Sequence, residues 1–412
     1  MDRMSELADE LLIKILMLVP TKVAVSTSIL SKRWEYLWMW LPKLEYGHRQ
    51  SSPSESKRLE CFLERNLPLH RAPVIKTLRL HLDSYFKSEN IKMWVVIAVS
   101  HCIRKLEISY ISYPDKPIIL PSNLYTCKSL VILKLDGKIL LDVPRMAFLP
   151  SLKTLHLKDV KYSSEESIRR LLSNSPLLED LLVDLRKGHR MGKLTVVVPS
   201  LQSFSLYIPG DCDIDGVVIE TPSLKYFKLL DDNRESHYYL IETMPNLIAA
   251  YLHVKLPDIK SVIASITFVK RLAICSEAMY DEGCVFNQLE HLKLCRCKEH
   301  FPNLLVRLLK DSSTLQNLDI FYMDDHAPSY MVNLNQPSTV PECLLSSLQT
   351  LNWFHYEGTP EERDLLVYIL QNALHLKTAA ITSFEQEVPK FEMIRDLAQS
   401  SRASATCQLM FD

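Results

Sequence analysis

The sequence predicts an α/β protein in which a small N-terminal module of three helices is followed by a repeat solenoid and a C-terminal capping region. Two observations support this prediction. An apolar frame recurs through the middle of the 412-residue chain, and three of the 5 tryptophans lie within seven residues near its start. The frame indicates stacked coils, with a parallel sheet on the concave face and helices and loops on the convex face.

Residues 1–46 do not fit the repeat frame and predict three short helices. The first, "SELADELLIKILMLVP", has apolar residues at helical spacing, the second begins near Thr21, and the third runs from Ser31 to about Leu41. Four residues of the third helix form one stripe at i, i+3, i+4 and i+7: Trp34, Leu37, Trp38 and Leu41. A unit of about 40 residues buries too little surface to hide this stripe. Part of it must therefore face the repeats, another protein, or both.

Residues 47–58, "GHRQSSPSESKR", are polar and rich in residues that interrupt helices and strands. Such a composition predicts a linker. We expect the helical module to pivot on this linker against the repeats.

The repeat frame is L-x-x-L-x-L with apolar substitutions, and it occurs thirteen times in order, from the frame that starts at Ile75 to the one that starts at Leu376. Successive frames mostly start about 20 to 28 residues apart, which is the period of leucine-rich repeats. The apolar side of each short strand can be buried only against the next coil. Residues 59–339 are therefore predicted to form a leucine-rich-repeat solenoid, whose convex helices include "SSEESIRRLLSNSP" and "FPNLLVRLLKDSS".

One side chain per coil, between the fourth and sixth frame positions, is expected to point into the concavity. An extended concave face is where solenoids usually bind partners, although each member alone is also explained as solvated sheet surface. The candidates for target binding are Arg79, Glu107, Lys134, His156, Lys228, Tyr251, Lys293 and Asp319. This column holds neither a carboxylate pair nor a nucleophile beside a base, so no catalytic residue is predicted.

The charge of the chain is balanced, with 48 basic and 49 acidic residues and a net charge of -1. Such a chain has no long-range field that would attract nucleic acid or an anionic membrane, and neither is expected as a partner. No secretory signal opens the sequence, and no apolar run approaches the roughly 20 residues of a membrane span. We expect a protein of the cytosol or the nucleus.

The 10 cysteines form no CxxC pair and predict reduced, mostly buried thiols. The segment "CRCKEH", from Cys295 to His300, holds two cysteines and a histidine, but no second ligand pair lies at zinc-finger distance. No metal site and no cofactor are therefore predicted. The motifs G-x-S-x-G and HExxH do not occur, and "DDH", from Asp324 to His326, is interpreted as a loop turn. The sequence thus predicts a protein that is not an enzyme.

The helical module resembles the F-box of plant F-box proteins from residue 2 to about residue 46, through "ELLIKIL" and "LSKRWEYLW". The resemblance implies a module that binds a Skp-type adaptor, which in turn bridges to a cullin. It assigns adaptor contact to Leu7, Ala8, Glu10, Leu11, Ile15, Val25, Leu30, Lys32, Arg33 and Trp34. The family usually has Leu-Pro-Asp-Glu where this chain has Leu7-Ala8-Asp9-Glu10. Loss of the rigid proline predicts weaker adaptor binding than is usual in the family.

The C-terminal region, Val340 to Asp412, resembles the FBD region that follows the repeats in these plant proteins, through "LQTLNW", "GTPEERDLLVYILQNA" and "SSRASATCQLMFD". Its own residues predict two more frames and a convex helix, which Thr359 caps and Pro360 starts. The ending "CQLMF" predicts a last strand that shields the open edge of the stack.

The resemblance implies the substrate-recognition subunit of an SCF-type E3 ubiquitin ligase, in which the F-box binds the adaptor and the repeats hold a target protein. Such a subunit acts by proximity and needs no acid–base chemistry of its own. Two alternatives remain open. One is an interaction scaffold whose weakened F-box, with Ala8, no longer recruits a ligase, and the other is a co-receptor that holds a small ligand in the concavity.

Overall fold

The structure, a computed structural model, describes residues 7–48, 52–113, 115–188, 190–235, 237–280, 283–323, 326, 339–383 and 388–412. The chain divides into two compact units, Met1–Leu201 with Asp211–Val218 and Gln202–Gly210 with Ile219–Asp412. Each unit is a stack of leucine-rich-repeat coils that carries a parallel sheet on one side and helices and loops on the other.

Helices cover both units of the described chain. The α-helices of the first unit are Asp9–Leu16, Thr21–Ser26, Pro53–Asn66, Ser88–Ser100 and Glu165–Ser173, and its 3-10 helices are Thr27–Ile29, Trp34–Trp40, Leu67–Leu69 and Ser122–Thr126. The α-helices of the second unit are Lys260–Ser265, Phe301–Lys310, Glu342–Ser346, Pro360–Asn372 and Lys390–Gln399. The third predicted helix is therefore a 3-10 helix. Its sequence "WEYLWMW" is mostly aromatic, and aromatic side chains lose rotamer freedom in an α-helix.

A parallel sheet in each unit confirms the repeat frame. The strands of the first unit's sheet are Lys43–Tyr46, Thr77–Asp83, Lys105–Ile111, Ile132–Gly137, Thr154–Lys158 and Asp180–Asp184. The strands of the second unit's sheet are Ser203–Ile208, Tyr226–Asp231, Ala249–Val254, Arg271–Ser276, His291–Cys295, Asn317–Phe321, Thr350–Tyr356, Thr378–Ser383 and Gln408–Phe411. Each of the thirteen predicted frames is buried, and no frame residue is more than 4 % exposed.

Short strands replace some of the expected convex helices. Ile118–Ile119, Ile139–Leu141 and Lys161–Tyr162 pair in parallel as a second, smaller sheet. Further strands are Lys193–Val197, Gly216–Glu220 and Tyr238–Ile241. An extended segment covers about twice the distance of a helical one per residue, so a short coil can close with a strand where it has too few residues for a helix.

The helical module is joined to the first coil through the tryptophan stripe. The ring of Trp38 lies 5.5 Å from that of Phe62, centroid to centroid. The Met39 carbonyl accepts hydrogen bonds from the backbone N–H groups of Arg71 and Ala72, at 2.9 and 3.2 Å. All four residues of the stripe are buried. At Trp38 the stripe therefore faces the first coil, which is one of the two destinations expected for it.

The junction between module and repeats differs from the predicted linker. Strand Lys43–Tyr46, at the end of the module, pairs in register with Thr77–Asp83 as part of the repeat sheet. Ser52 then caps helix Pro53–Asn66 in a capping box with Glu55, so residues 53–58 of the predicted linker are helical. Residues 49–51 lie outside the described part of the chain. The expected pivot is corrected to a junction held by sheet hydrogen bonds and aromatic packing.

A buried arginine ties the FBD region to the preceding coils of the second unit. Arg296 is 3 % exposed and pairs with Glu362, which is fully buried, and with Glu357 at 2.8 Å. It also donates to the His355 carbonyl, and its guanidinium lies 4.4 Å from the centroid of the Tyr322 ring. Burial raises the pKa of Glu362, and the cation opposes that shift. A buried charge pair of this kind is destabilising to break, because either partner alone would be left uncompensated.

The C-terminal elements follow the sequence prediction. The Thr359 hydroxyl accepts a hydrogen bond from the Glu362 backbone N–H at 3.3 Å, and Pro360 opens helix Pro360–Asn372. Strand Gln408–Phe411 pairs in parallel with Thr378–Ser383 and is the last strand of the sheet in the second unit. The ending of the chain therefore covers the edge of the last frame, as predicted.

The stripe and its exposed neighbour give a matched test of this packing. Trp34 is 6 % exposed and Trp40 is 42 % exposed, and both lie in the same 3-10 helix. Trp34→Ala is expected to lower the free energy of unfolding by about 3 to 5 kcal/mol, whereas Trp40→Ala should cost about 1 kcal/mol. Urea unfolding of the full chain followed by circular dichroism measures both values. Equal losses in the two variants would contradict the burial of the stripe.

Candidate functional site

The first two helices expose an unusual amount of apolar surface. Leu11 and Ile15, four residues apart, lie on one side of the first helix, while Leu12 and Leu16 are buried on the other, and Leu18 is exposed in the turn that follows. Eight large side chains of this region are between 37 and 87 % exposed, and six of them are Leu11, Ile15, Leu18, Val23, Ile29 and Leu30. We call these six residues the apolar helical face. Sequence reasoning named three of them and missed Leu18, Val23 and Ile29.

The ten residues assigned to adaptor contact fall into three groups. Those exposed are Ala8, Glu10, Leu11, Ile15, Leu30, Lys32 and Arg33, and those half-buried are Leu7 and Val25. Trp34 is withdrawn from the set, because its indole packs in the core of the module. The F-box motif alone could not separate a tryptophan that meets a partner from one that packs inside its own module.

Two polar features define the start of the first helix. Arg33 donates from Nε to Asp9 Oδ1 at 2.8 Å and also to the Leu7 carbonyl, so it fastens the helix start to the third helix. Ala8 occupies the N-cap position with a φ of -63°, and its methyl group offers no capping hydrogen bond. That backbone angle is the one that a proline ring imposes.

The predicted column of sheet residues is aligned as expected within each unit. In the first unit, Arg79 pairs with Glu107, Glu107 with Lys134, and Lys134 with His156. In the second unit, Lys228 pairs with Tyr251, and Lys293 with Asp319. The register follows from the buried frame positions beside them, because a slip of one residue would expose the apolar ladder.

The column in the first unit is largely engaged in ion pairs. Arg79 lies between Glu107 and Glu45, with its Nη1 3.0 Å from Glu45 Oε1, and Lys105 Nζ lies 2.9 Å from Glu107 Oε1. Burial raises the pKa of Glu107, but the hydrogen bonds from Arg79 and Lys105 outweigh it and hold that pKa below its ordinary value. These charges neutralise one another. A depression of about 200 Å³ adjoins them, lined among others by Lys134 and His156.

The second unit carries a larger depression on its sheet, which we call the sheet groove. Its volume is about 330 Å³, and its polar and aromatic lining residues are Ser203, Ser205, Tyr226, Lys228, Tyr251, Arg271, His291 and Lys293. Lys228 Nζ lies 4.9 Å from the ring centroid of Tyr251 and 5.4 Å from that of Tyr207. Among the described lining residues there is no carboxylate. The groove therefore presents positive charge beside aromatic faces.

Asp319 supports the groove from below. It is 4 % exposed, and its carboxylate accepts hydrogen bonds from His291 Nε2 at 2.9 Å and from Asn352 Nδ2 at 2.8 Å. Lys293 Nζ lies 3.1 Å from the same carboxylate. Burial opposes ionisation, yet these hydrogen bonds lower the pKa of Asp319 to about 2. Asp319 is thus corrected from a target-binding candidate to a residue that positions His291 and Lys293.

A second row of groove residues was missed by sequence reasoning. Tyr226, Arg271 and His291 each lie two positions before a member of the predicted column, and side chains two apart share one face of a strand. The two-residue period of a strand could have revealed these residues. They were missed because only one position per coil was assigned to the concave face from the sequence.

Three cysteines and a histidine also converge in the second unit. Cys275, Cys295, Cys297 and His326 have their ligand atoms within 4.8 Å of one another, and we call them the thiol cluster. The sequence argument against a metal site therefore fails, because it searched for ligand pairs along the chain. His300 of "CRCKEH" is exposed and is not part of the cluster. Of the "DDH" segment, Asp324 and Asp325 lie outside the described residues.

Comparisons with known proteins agree with both the sheet and the C-terminal cap. A family model described as FBD matches residues 336–381. A second, described as FBD-associated F-box protein At5g56370, LRR repeats, matches residues 91–247. FBD-associated F-box protein At4g10400 of Arabidopsis thaliana is 59% identical over 413 residues, which cover 100% of both chains.

The chain belongs to the family of FBD-associated F-box proteins.

Other relatives carry the same combination of names. FBD-associated F-box protein At5g38590 of Arabidopsis thaliana is 50% identical over 97% of this chain and 98% of its own length. Putative F-box/FBD/LRR-repeat protein At4g00315 of the same plant is 44% identical over 100% of both chains. The family therefore accounts for the helical module, the repeats and the capping region in one chain. Among the described residues, no helix is long and apolar enough to cross a membrane.

The carboxylate beneath the groove predicts a pH dependence. A depressed pKa in the folded state means that Asp319 contributes stability above its unfolded pKa, near 4, and loses it as the pH falls towards 2. Asp319→Asn should lower the free energy of unfolding by about 2 kcal/mol at pH 7. The difference in unfolding free energy between this variant and wild type should shrink as the pH falls from 4 to 2.5.

Urea unfolding across this pH range measures the gap, with the largely exposed Asp364 replaced by Asn as the control. A gap that stays constant with pH would show that Asp319 contributes through packing and not through its charge.

Proposed function

We propose that this FBD-associated F-box protein is the substrate-recognition subunit of an SCF-type E3 ubiquitin ligase. The observation that carries the proposal is the apolar helical face, which the fold leaves exposed on a family-defining module. Its six side chains belong to the type that folding normally buries. Large contiguous apolar patches on soluble domains mark sites of protein contact. A Skp-type adaptor, which bridges to a cullin, is the partner that the F-box resemblance implies.

The exposed charges beside this face give the contact its polar rim. Glu10 and Lys32 are exposed near the apolar residues, whereas Arg33 is engaged with Asp9. Interfaces commonly combine an apolar centre with a polar, solvent-accessible rim. In this proposal Leu11, Ile15 and Leu30 supply the centre, and the charged residues fix the orientation of the adaptor.

The sheet groove is proposed as the surface that holds the target. Lys228, Arg271 and Lys293 line it together with the rings of Tyr226 and Tyr251. Cations next to aromatic faces suit a target segment that carries carboxylates, because charge-assisted hydrogen bonds and ring contacts then form together. The role of the chain is to hold target and ligase together, which raises their effective concentration. It has no catalytic residue in this proposal and acts in the cytosol or the nucleus.

An interaction scaffold without ligase recruitment is the second candidate, and Ala8 is the observation that favours it. The N-cap position lacks both a capping side chain and the usual proline of the family. A helix start that is less rigid gives a weaker contact, because more conformational freedom is lost on binding. The two candidates differ in one measurable quantity, which is the affinity for the adaptor.

Charge introduced on the apolar helical face should abolish adaptor recovery. The double variant Leu11→Asp and Ile15→Asp buries two carboxylates in the proposed interface, so co-purification of the full chain with a Skp-type adaptor should fall at least about 100-fold. Met146→Asp, on a side chain that is 83 % exposed in the repeats, is the matched control and should leave recovery unchanged.

Stable recovery of wild type as a 1:1 complex supports the ligase subunit. Failure of wild type to bind even at high adaptor concentration would favour the scaffold. Equal recovery of wild type and the double variant would place the contact elsewhere on the chain.

Restoring the family proline should strengthen adaptor binding. Proline fits the existing φ of -63° at position 8. The substitution Ala8→Pro should lower the conformational-entropy cost of ordering this segment by about 0.4 to 1 kcal/mol. We expect the dissociation constant measured by calorimetry to fall about two- to fivefold. Ala8→Gly, which increases that freedom, is the control and should weaken binding. An unchanged affinity in Ala8→Pro would remove the explanation given for the departure at Ala8.

A further inference from the structure

Three neighbouring coils of the second unit bring sulfur and nitrogen atoms to one point. Cys275 lies in strand Arg271–Ser276, Cys295 ends strand His291–Cys295, and Cys297 follows two residues later. His326 comes from the segment after strand Asn317–Phe321. The strands are parallel and in register, so their carboxyl ends meet at one edge of the sheet. The thiol cluster is therefore a product of the stacking and not of a local motif.

The distances match a four-ligand metal site. His326 Nδ1 lies 3.1 Å from Cys297 Sγ, 3.3 Å from Cys295 Sγ and 3.6 Å from Cys275 Sγ. Cys275 Sγ and Cys297 Sγ are 3.3 Å apart. In a tetrahedral zinc site, Zn–S bonds of about 2.3 Å and a Zn–N bond of about 2.0 Å place the ligand atoms about 3.5 to 3.8 Å from one another. These four separations differ from the tetrahedral values by no more than about half an ångström, and all ligand atoms lie within 4.8 Å of one another.

Ordinary buried cysteines in this chain behave differently. The Cys343 thiol donates a hydrogen bond to the Leu309 carbonyl at 3.1 Å, as a neutral thiol does. In the thiol cluster the sulfur atoms instead face one another and an imidazole nitrogen. The Met323 backbone N–H points at Cys295 Sγ from 3.4 Å, which is the contact that a ligating thiolate receives from its surroundings.

We propose that Cys275, Cys295, Cys297 and His326 bind one Zn²⁺ ion in a tetrahedral site with three sulfur ligands and one nitrogen ligand. The donor set is the one that Zn²⁺ prefers in structural sites, and sulfur-rich tetrahedral geometry selects against Mg²⁺ and Ca²⁺. Four protein ligands close the coordination sphere, so the ion is structural and not catalytic. On binding, the three thiols lose their protons to solvent and the ion joins three thiolates and one neutral imidazole.

A disulfide is the competing chemistry for two of these sulfur atoms. The 3.3 Å between Cys275 Sγ and Cys297 Sγ is well beyond the roughly 2.05 Å of an S–S bond. All cysteines of the described chain are free thiols. The cluster is partly covered by Tyr251, Ala273, Phe321 and Tyr322, which limits access of oxidants to it.

The ion would fix one border of the sheet groove. Tyr251 and Ala273 pack against the thiol cluster and also line the groove. His326 and Cys297 belong to loop segments, whereas Cys275 and Cys295 belong to strands. Zinc therefore ties loops to the sheet beside the proposed target surface, and the binding free energy adds to the stability of the folded chain.

Metal analysis of the full chain tests the proposal directly. Protein purified in reductant and dialysed against metal-free buffer should retain about one zinc per chain, as measured by inductively coupled plasma mass spectrometry. Exchange with Co²⁺ should give the visible absorption of tetrahedral cobalt together with sulfur-to-cobalt charge-transfer bands. These two measurements on wild type need no variant and do not depend on adaptor binding.

Two variants assign the ligands. Cys297→Ser and His326→Ala should each weaken zinc affinity at least about 100-fold, because loss of a ligand exceeds the effect known for outer contacts. The matched controls are Cys343→Ser, on a buried thiol outside the cluster, and His375→Ala, on an exposed histidine. Both controls should retain one zinc per chain.

Three results would overturn the proposal. They are a wild-type chain that holds no zinc and gives no cobalt bands, zinc retained equally in Cys297→Ser and His326→Ala, and a Cys275–Cys297 disulfide in freshly purified protein. The first result would mean that the thiol cluster binds no metal. The second would place the zinc site elsewhere on the chain. The third would show that two of the cysteines form a redox pair and not a metal centre.

Discussion

The constraint on which the structure depends is that a stack of parallel strands buries its apolar ladder only against a neighbouring coil. Within each unit, neighbouring frames cover one another, and the first and last frames of the chain need a cover. At the C-terminal end the cover is strand Gln408–Phe411, which pairs with the last frame. At the N-terminal end it is the F-box module, whose strand Lys43–Tyr46 pairs with the first frame. The module for which we propose adaptor binding thus also caps the repeats.

This double role divides the apolar residues of the module between two surfaces. The tryptophan stripe is buried inside the fold, with Trp38 packed on Phe62 of the first coil. The first two helices present the apolar helical face to solvent instead. Because the stripe is held inside the fold, the exposed face has a fixed orientation relative to the first coil. A fixed orientation suits the proposed role, in which the chain would present a target at a set position.

The sequence predicted what depends on local period, and it failed where distant residues meet. The frame positions were predicted correctly because burial of one strand face follows from a period of two, and the convex helix Pro360–Asn372 followed from its cap. Trp34 was misassigned because an amphipathic stripe does not reveal what covers it. The thiol cluster was missed because its four ligands belong to three coils, and the spacing between coils varies. Asp319 was read as exposed because alternation cannot detect the hydrogen bonds that bury it.

We propose that adaptor contact and solenoid capping use different residues of the F-box module, and hydrogen–deuterium exchange of the full chain with and without a Skp-type adaptor tests this claim most directly. We expect the amides of Leu44–Tyr46 to exchange slowly in the free chain, because they belong to the sheet. Adaptor should slow exchange within residues 9–30 and leave residues 34–46 unchanged. Rapid exchange of Leu44–Tyr46 in the free chain, or adaptor protection centred on Trp34–Trp40, would contradict the claim.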